Sequence, residues 1–265
     1  MSIQTGLTQY NLAGLTKIEY SIKLIQDNEP SEGYQLCLSA GGKDCQVAED
    51  ITRLSGVKYE IVHNRTGIDP PEAVKFMREH YPTVIIQKPK YSIWEGIERK
   101  GLPRRQSRWC CELLKEYSGK GRVLITGIRA EESTSRKHRA PVEEGRNHKK
   151  FVNPLFYWTE YDVWDYIDQN KLNYCKLYDI DGWDRLGCIL CPMTTYRRTL
   201  FEWERYPKIA QAWFRASKRH WVRGLPSSKR FPTAEGFIWW WLTRGQISIE
   251  EIKYKASLKG LNLNI

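Results

Sequence analysis

Apolar residues along this chain fall first at helical spacing and then in short strand-like runs. Leu15, Ile18, Ile22 and Ile25 recur every three to four positions and predict a helix over 15–28. "YQLCLS" (34–39) reads as a buried strand and "CQVAEDITRLSG" (45–56) as the helix after it, stopped by Gly56. The alternation continues with strand "YEIVHN" (59–64) and a helix over 69–82 that has Asp69 as N-cap and prolines in its first turn. Strands "TVIIQKP" (83–89) and "RVLITGIR" (122–129) follow, with helical stretches around 92–99 and 109–117 between them. Such alternation predicts an α/β fold, a doubly wound parallel sheet covered on both faces. The polar, aperiodic stretch 131–150 is expected to be a mobile loop over an active face. Thr159 then caps the amphipathic helix in "WTEYDVWDYIDQN". Beyond it the pattern is helical and basic. The expected organisation is a helical lead-in over 1–30, an α/β domain over 31–192 and a basic, Trp-rich helical region over 193–265.

Composition narrows the classes. No apolar run approaches the roughly 20 residues of a membrane span, and "MSIQTGLTQY" lacks the basic-then-apolar form of a signal peptide. A cytoplasmic protein with no membrane partner is expected, and in that setting seven cysteines point to metal ligands, reactive thiols or core filler rather than disulfides. The net charge of +11 is concentrated: residues 192–265 hold 14 Lys and Arg against 5 Asp and Glu, with six of the 11 tryptophans. Two readings stay open, a solvated basic surface over a Trp-rich core or a nucleic-acid-facing surface that uses Arg215, Lys218 and Arg219.

Chemistry enters at "LSAGGKDCQVAED" (38–50), directly after the first strand. A Gly-Gly turn is common at a strand end. The alternative is a phosphate cradle: Gly41 and Gly42 let backbone N–H groups approach an anion, the following helix aims its positive end at it, and Lys43 adds a charge. The spacing is neither Walker A nor G-x-G-x-x-G. Four of the cysteines form a second pattern, Cys110 and Cys111 adjacent and Cys188 and Cys191 as C-x-x-C. Four thiols suit a zinc ion or an iron–sulfur cube. Adjacent side chains diverge, which favours the cube, since it offers a separate iron to each thiolate. Cys37 and Cys175 read as buried thiols.

Taken together, these stretches resemble the adenosine 5′-phosphosulfate/3′-phosphoadenosine 5′-phosphosulfate (APS/PAPS) reductase family of the PP-loop superfamily, in its iron–sulfur, DndC-like branch. "AGGKDC" sits where the family has S-G-G-K-D-S, "RRQSRWCCELLK" is similar to R-W-C-C/T-x-x-L-K, and "GIRAEESTSR" to G-x-R-x-x-E-S-x-x-R. "HNRTGIDPPEAVKF" looks like the family's segment after the second strand, "NPLFYWTEYDVWDYI" is similar to P-L-x-x-W-T-x-x-D-V-W-x-Y-I, and "LYDIDGWDRLGCILCP" to L-Y-x-x-G-Y-x-R-I-G-C-x-x-C. The resemblance implies that Ser39, Gly41, Gly42, Lys43, Cys45 and Arg136 hold an adenine nucleotide (ATP, or PAPS or APS). It implies Lys43, Asp44 and Arg129 as the reacting-end residues, with Asp44 helping to hold Mg²⁺, and Cys110, Cys111, Cys188 and Cys191 as ligands of a 4Fe-4S cluster. Two departures stand out. Ala40 and Cys45 replace the outer serines, and "EEIKYKASLKGLNLNI" (250–265) has no counterpart of the family's E-C-G-[LI]-H segment. The expectation is therefore ATP-dependent, AMP-forming sulfur insertion into a nucleic acid (DNA or tRNA), assisted by a sulfur- or electron-donor protein. A homodimer is compatible with the sequence. The alternatives are an APS or PAPS reductase releasing sulfite, or a nucleic-acid-binding module that has lost catalysis.

Overall fold

The computed structural model describes residues 14–246. Signal-peptide reading at the start of the chain and the 250–265 segment lie outside the described residues. Chain contacts divide the described residues into two compact units: one of 14–65, 69–88 and 117–187, the other of 66–68, 89–116 and 188–246.

The first unit is an α/β layer structure. Helix α1 (Lys17–Gln26) opens with a capping box in which Thr16 and Glu19 exchange hydrogen bonds. Strands β1 (Tyr34–Cys37), β2 (Tyr59–Asn64), β3 (Ile85–Gln87), β4 (Val123–Ile125), β5 (Val142–Gly145) and β6 (Lys149–Val152) form one sheet in the order 3-2-1-4-6-5. All neighbours are parallel except β5, which runs antiparallel to β6 at the edge. Helices α2 (Lys43–Leu54) and α3 (Pro71–His80) make the crossovers from β1 to β2 and from β2 to β3. The chain then returns past β1 to β4, so strand order reverses between β1 and β4. In such sheets the crevice outside the carboxyl ends at that reversal receives ligands. Helix α7 (Glu160–Gln169), capped by Thr159 as its sequence predicts, packs on α2. The unit is completed by the short helices α6 (Thr134–Lys137) and α8 (Leu177–Ile180).

Two local expectations change. Pro70, not Asp69, occupies the N-cap of α3 and no side chain caps it; the Asp69 carboxylate lies instead 3.8 Å from His63 Nε2. The fixed φ of successive prolines starts this helix without help. Residues 131–150 are not a single loop: they contain α6, β5 and the start of β6. The signal was hidden because β5 is an edge strand of sequence VEEG and its partner begins with two lysines, so neither shows apolar alternation.

The second unit is helical: α4 (Ile93–Lys100), α5 (Trp109–Leu114), α9 (Tyr196–Arg205), α10 (Pro207–Val222) and α11 (Ala234–Leu242). Helix α10 packs on α4 and α11. Their seam is aromatic: Trp213 stacks on Trp241 at 4.8 Å, and Trp213, Trp239 and Trp241 are all buried. These tryptophans are core residues, as the bland reading of the Trp-rich region expects. The boundary at Met193 and the separate lead-in differ from the observed division. Helix α1 belongs to the first unit, while α4, α5 and the C-x-x-C loop join the C-terminal helices.

Candidate functional site

The loop after β1 enters α2 at the strand-order reversal. Gly41 has φ +65°, a left-handed conformation, and a Cβ there would press on Cys175, Leu186 and Ala73 at 3.1–3.2 Å. A Cβ on Gly42 would collide with Ser39 Oγ. Gly41 is thus required by the turn, whereas at Gly42 the serine hydroxyl could rotate aside. Gly42 is the N-cap of α2 and has no side chain with which to cap the helix, an arrangement that leaves backbone N–H groups for an anion beyond that of Lys43, which Tyr178 Oη accepts. Ser39 Oγ lies 3.2 Å from Cys45 Sγ, so the displaced serine and the new thiol meet across the loop.

Lys43 does not project into solvent. It is 2% exposed, and its Nζ donates to the Asp184 carbonyl at 2.8 Å and pairs with Glu160 at 3.1 Å. The ammonium also faces the rings of Tyr178 and Trp164 at 5.2 and 5.7 Å, while Tyr178 Oη accepts the Lys43 N–H. Asp44 is held by Arg129, whose Nε reaches Oδ1 at 2.5 Å; Arg129 is 3% exposed and also pairs with Glu131. The glycine in "GIR" makes this approach feasible, because a Cβ on Gly127 would lie 2.7 Å from the Asp44 backbone.

Arg136 sits on α6 against Glu132, whose other oxygen is 3.8 Å from Arg185. Burial, then the neighbouring Arg185 and Arg139 guanidiniums, pushes Arg136 down to about 10, with Asp44 and Cys45 acting in the opposite direction. It remains a cation at neutral pH inside a crowd of like charge, a setting that favours an arriving anion. Ser39, Gly41, Gly42, Lys43, Asp44, Cys45, Arg129 and Arg136 therefore gather in the first unit. Glu160, Trp164, Tyr178, Asp184 and Arg185 join them; they lie within the family-like stretches 153–167 and 177–192, from which the sequence drew no role for them.

The four patterned cysteines belong to the second unit. Cys110 and Cys111 on α5 and Cys188 and Cys191 of the loop before α9 line one small cavity whose other walls include Ile68, Ile93, Leu114 and Trp213. Cys110 donates to Cys111, and this bond, with Lys115 and Arg108 nearby, draws the Cys111 thiol down to about 6. The same bond, then burial, pushes Cys110 well up. Among the described residues no three His, Cys, Asp or Glu side chains are gathered as a single metal ion would need them. An apolar cavity with four thiols on its wall fits the donor set of a four-iron cluster, which takes one thiolate per iron. Cys175 is buried and Cys37 half-buried.

Three residues with no sequence signature hold the C-x-x-C loop. Leu190 lies at φ +59°, and its N–H is accepted by Glu202 Oε2 at 2.6 Å. Glu202 is 1% exposed and its second oxygen takes Arg198 Nε at 2.9 Å; burial raises its pKa against both bonds. Arg105 donates to the carbonyls of Pro192, Met193 and Thr194, and Arg244 to that of Cys191. Ile189 N–H closes the inner side on the Ile68 carbonyl at 2.7 Å.

Comparison with known proteins places these features. The phosphoadenosine phosphosulfate reductase domain family matches residues 35–194. An uncharacterized protein of Methanocaldococcus jannaschii is 31% identical over 189 residues, 66% of this chain and 39% of its own length. The adenosine 5′-phosphosulfate reductase of Geobacillus kaustophilus is 33% identical over 148 residues, 50% of this chain and 61% of its own. The chain thus spans less than two thirds of these curated relatives. A crystal structure of a phosphoadenylyl-sulfate reductase from Candida auris, in a phosphate complex, superposes with TM-score 0.50 at 22% identity, covering 67% of this chain and 90% of that one, and shares its fold.

Proposed function

We propose, from the premise that the chain belongs to the phosphoadenosine phosphosulfate reductase domain family, that it is a cluster-bearing enzyme that binds an adenine nucleotide and inserts sulfur into a nucleic acid. The observation that carries this reading is that all four patterned cysteines line one apolar cavity. Cys110, Cys111, Cys188 and Cys191 would hold a 4Fe-4S cluster, which when bound supplies one-electron chemistry or a place for the sulfur donor.

The chain's own residues account for the nucleotide half. The uncapped start of α2 offers N–H groups to phosphate oxygens. Arg136, crowded by Arg185 and Arg139, gains most from an anion that relieves their repulsion. Lys43, freed from Glu160, would follow the charge that builds on leaving pyrophosphate. Asp44 is committed to Arg129, so any Mg²⁺ would share that carboxylate. The acceptor oxygen attacks the α-phosphorus of ATP and pyrophosphate departs. A sulfide then displaces AMP from the adenylated acceptor and takes the oxygen's place.

A second reading is favoured by the reductase names of the relatives. There a thiolate attacks the sulfur of APS or PAPS, AMP or its 3′-phosphate derivative leaves, and a dithiol donor reduces the S-sulfocysteine to release sulfite. The thiol nearest the loop for that step is Cys45. The deciding experiment uses anaerobically prepared, cluster-replete protein. It is incubated with ATP, or with APS or PAPS plus reductant, in the presence and absence of DNA and tRNA. Pyrophosphate that rises with nucleic acid is expected; sulfite from APS or PAPS without it would overturn the sulfur-insertion reading in favour of the reductase.

A further inference from the structure

The second unit holds a cavity of about 760 Å³ that none of the chemistry above uses. That size lies in the range of sites for small organic ligands. Its wall includes Arg104, Arg105, Arg197 and Arg244 together with Tyr196 and Trp240, and among the described residues no carboxylate lines it. Arg104, Arg105 and Arg197 are exposed, so water screens their charges, and the cluster is a cationic surface open to an anion. The Arg244 Nε is buried without a hydrogen-bond partner, while its other nitrogens reach the carbonyls of Trp241 and Cys191 and the Thr199 hydroxyl.

Glu202, on the same helix as Tyr196 and Arg197, is already committed to Arg198 and to the Leu190 N–H. Trp240 is held as a platform, since the Arg230 guanidinium packs 4.3 Å from its ring centre and Phe231 lies at 5.2 Å. Guanidiniums recognise phosphate oxygens in pairs, and a fixed indole gives an unpaired base a face to stack on. The arginines alone would also meet the phosphates of a duplex; the indole platform is what favours an unpaired base.

We propose that this cavity binds one nucleotide of a single-stranded nucleic acid, with its flanking phosphates on the arginines and its base on Trp240 or Tyr196. The inference rests on the reading of the chain as a nucleic-acid-modifying enzyme, and it puts the contact in this cavity rather than on the outer charges of α10. It also gives the contact a consequence. Pro192 borders both this cavity and the cysteine-lined one, and Arg105 and Arg244 grip the carbonyls of residues 191–194. The acceptor strand would therefore lie against the far side of the loop that carries Cys191.

The test is a fluorescence anisotropy titration of the full chain with labelled dodecathymidylate and dodecauridylate. Arg104→Glu with Arg197→Glu should weaken binding about tenfold or more and flatten its salt dependence, since each lost phosphate contact removes about 0.7 from the slope. Arg215→Glu with Lys218→Glu, on exposed positions of α10, should change affinity by less than about twofold. A 5-iodouridine oligonucleotide should photocrosslink to Tyr196 or Trp240 in the wild-type protein, which tests the location even if a variant misfolds. Loss of binding in the α10 variant alone, or crosslinks elsewhere, would overturn the cavity assignment while leaving the proposed function standing. Absence of any wild-type binding to either oligonucleotide would overturn both.

Discussion

Lys43 is the residue whose environment most alters its expected part. A lysine after Gly-Gly suggests a free charge over a phosphate, yet this one is buried against Trp164 and Tyr178 and bonded to Glu160 and Asp184. Removing it does two things at once. Lys43→Ala would delete the phosphate contact proposed above and leave the Asp184 carbonyl without its donor, a loss of about 1 kcal/mol in stability. Lys43→Met keeps the stem on the two rings. We expect it to weaken ATP affinity by calorimetry about tenfold or more while lowering the melting temperature less than Lys43→Ala does. Equal ATP affinity in wild type and Lys43→Met would make the lysine a packing residue. The glycines, lysine and acid of the loop were legible in the sequence because a turn and a helix start are local. The cage around Lys43 was not, since Glu160, Trp164, Tyr178 and Asp184 lie more than a hundred residues away and only the fold brings them in. Glu202 was illegible for a related reason. It looks like any helix-surface glutamate until the left-handed Leu190 N–H is found pointing at it.

Elements meet at two close approaches, and each yields a prediction. The turn after β4 presses its backbone on the first turn of α2, where a Cβ on Gly127 would stand 2.7 Å from the Asp44 carbonyl group. Backbone has no rotamer with which to yield, so Gly127→Ala should destabilise by about 1–3 kcal/mol in denaturant titration and reduce nucleotide affinity together. A stable variant with normal affinity would mean that the strand and helix part without consequence. The other approach is α9 against the C-x-x-C loop. Glu202→Ala strands the Leu190 N–H and removes one acceptor from the part-exposed Arg198, a change of about 1–3 kcal/mol. Iron and acid-labile sulfide per chain should fall with it. Glu202→Gln retains an acceptor for the N–H and should keep more of both; identical metal contents in the two variants would remove Glu202 from any part in shaping the loop. The alternation of strands and helices was readable from periodicity at this scale. The hairpin-like pair β5 and β6 was not, because edge position and lysine-rich sequence erase the apolar alternation on which such reading depends.

Across the whole chain, the two kinds of chemistry fall in different units, the phosphate-type loop in one and the four thiols in the other. Motif order does not reveal this, since Cys110 and Cys111 precede β4 and Arg129 in sequence while folding with the C-terminal helices. The division groups the four patterned cysteines with the helices rather than with the sheet. It has a consequence for how the activities can be separated. Thiols that pack within the helical unit should be removable without disturbing the turn that Gly41, Gly42 and Gly127 build within the sheet unit. Cys188→Ser with Cys191→Ser is therefore expected to abolish bound iron and the broad absorption near 400 nm that a four-iron cluster gives. Its affinity for ATP should stay within about threefold of wild type, a change of under 1 kcal/mol. Loss of nucleotide binding together with iron, in a variant whose far-ultraviolet circular dichroism is unchanged, would show that the cluster loop and the phosphate loop act as one site instead of two.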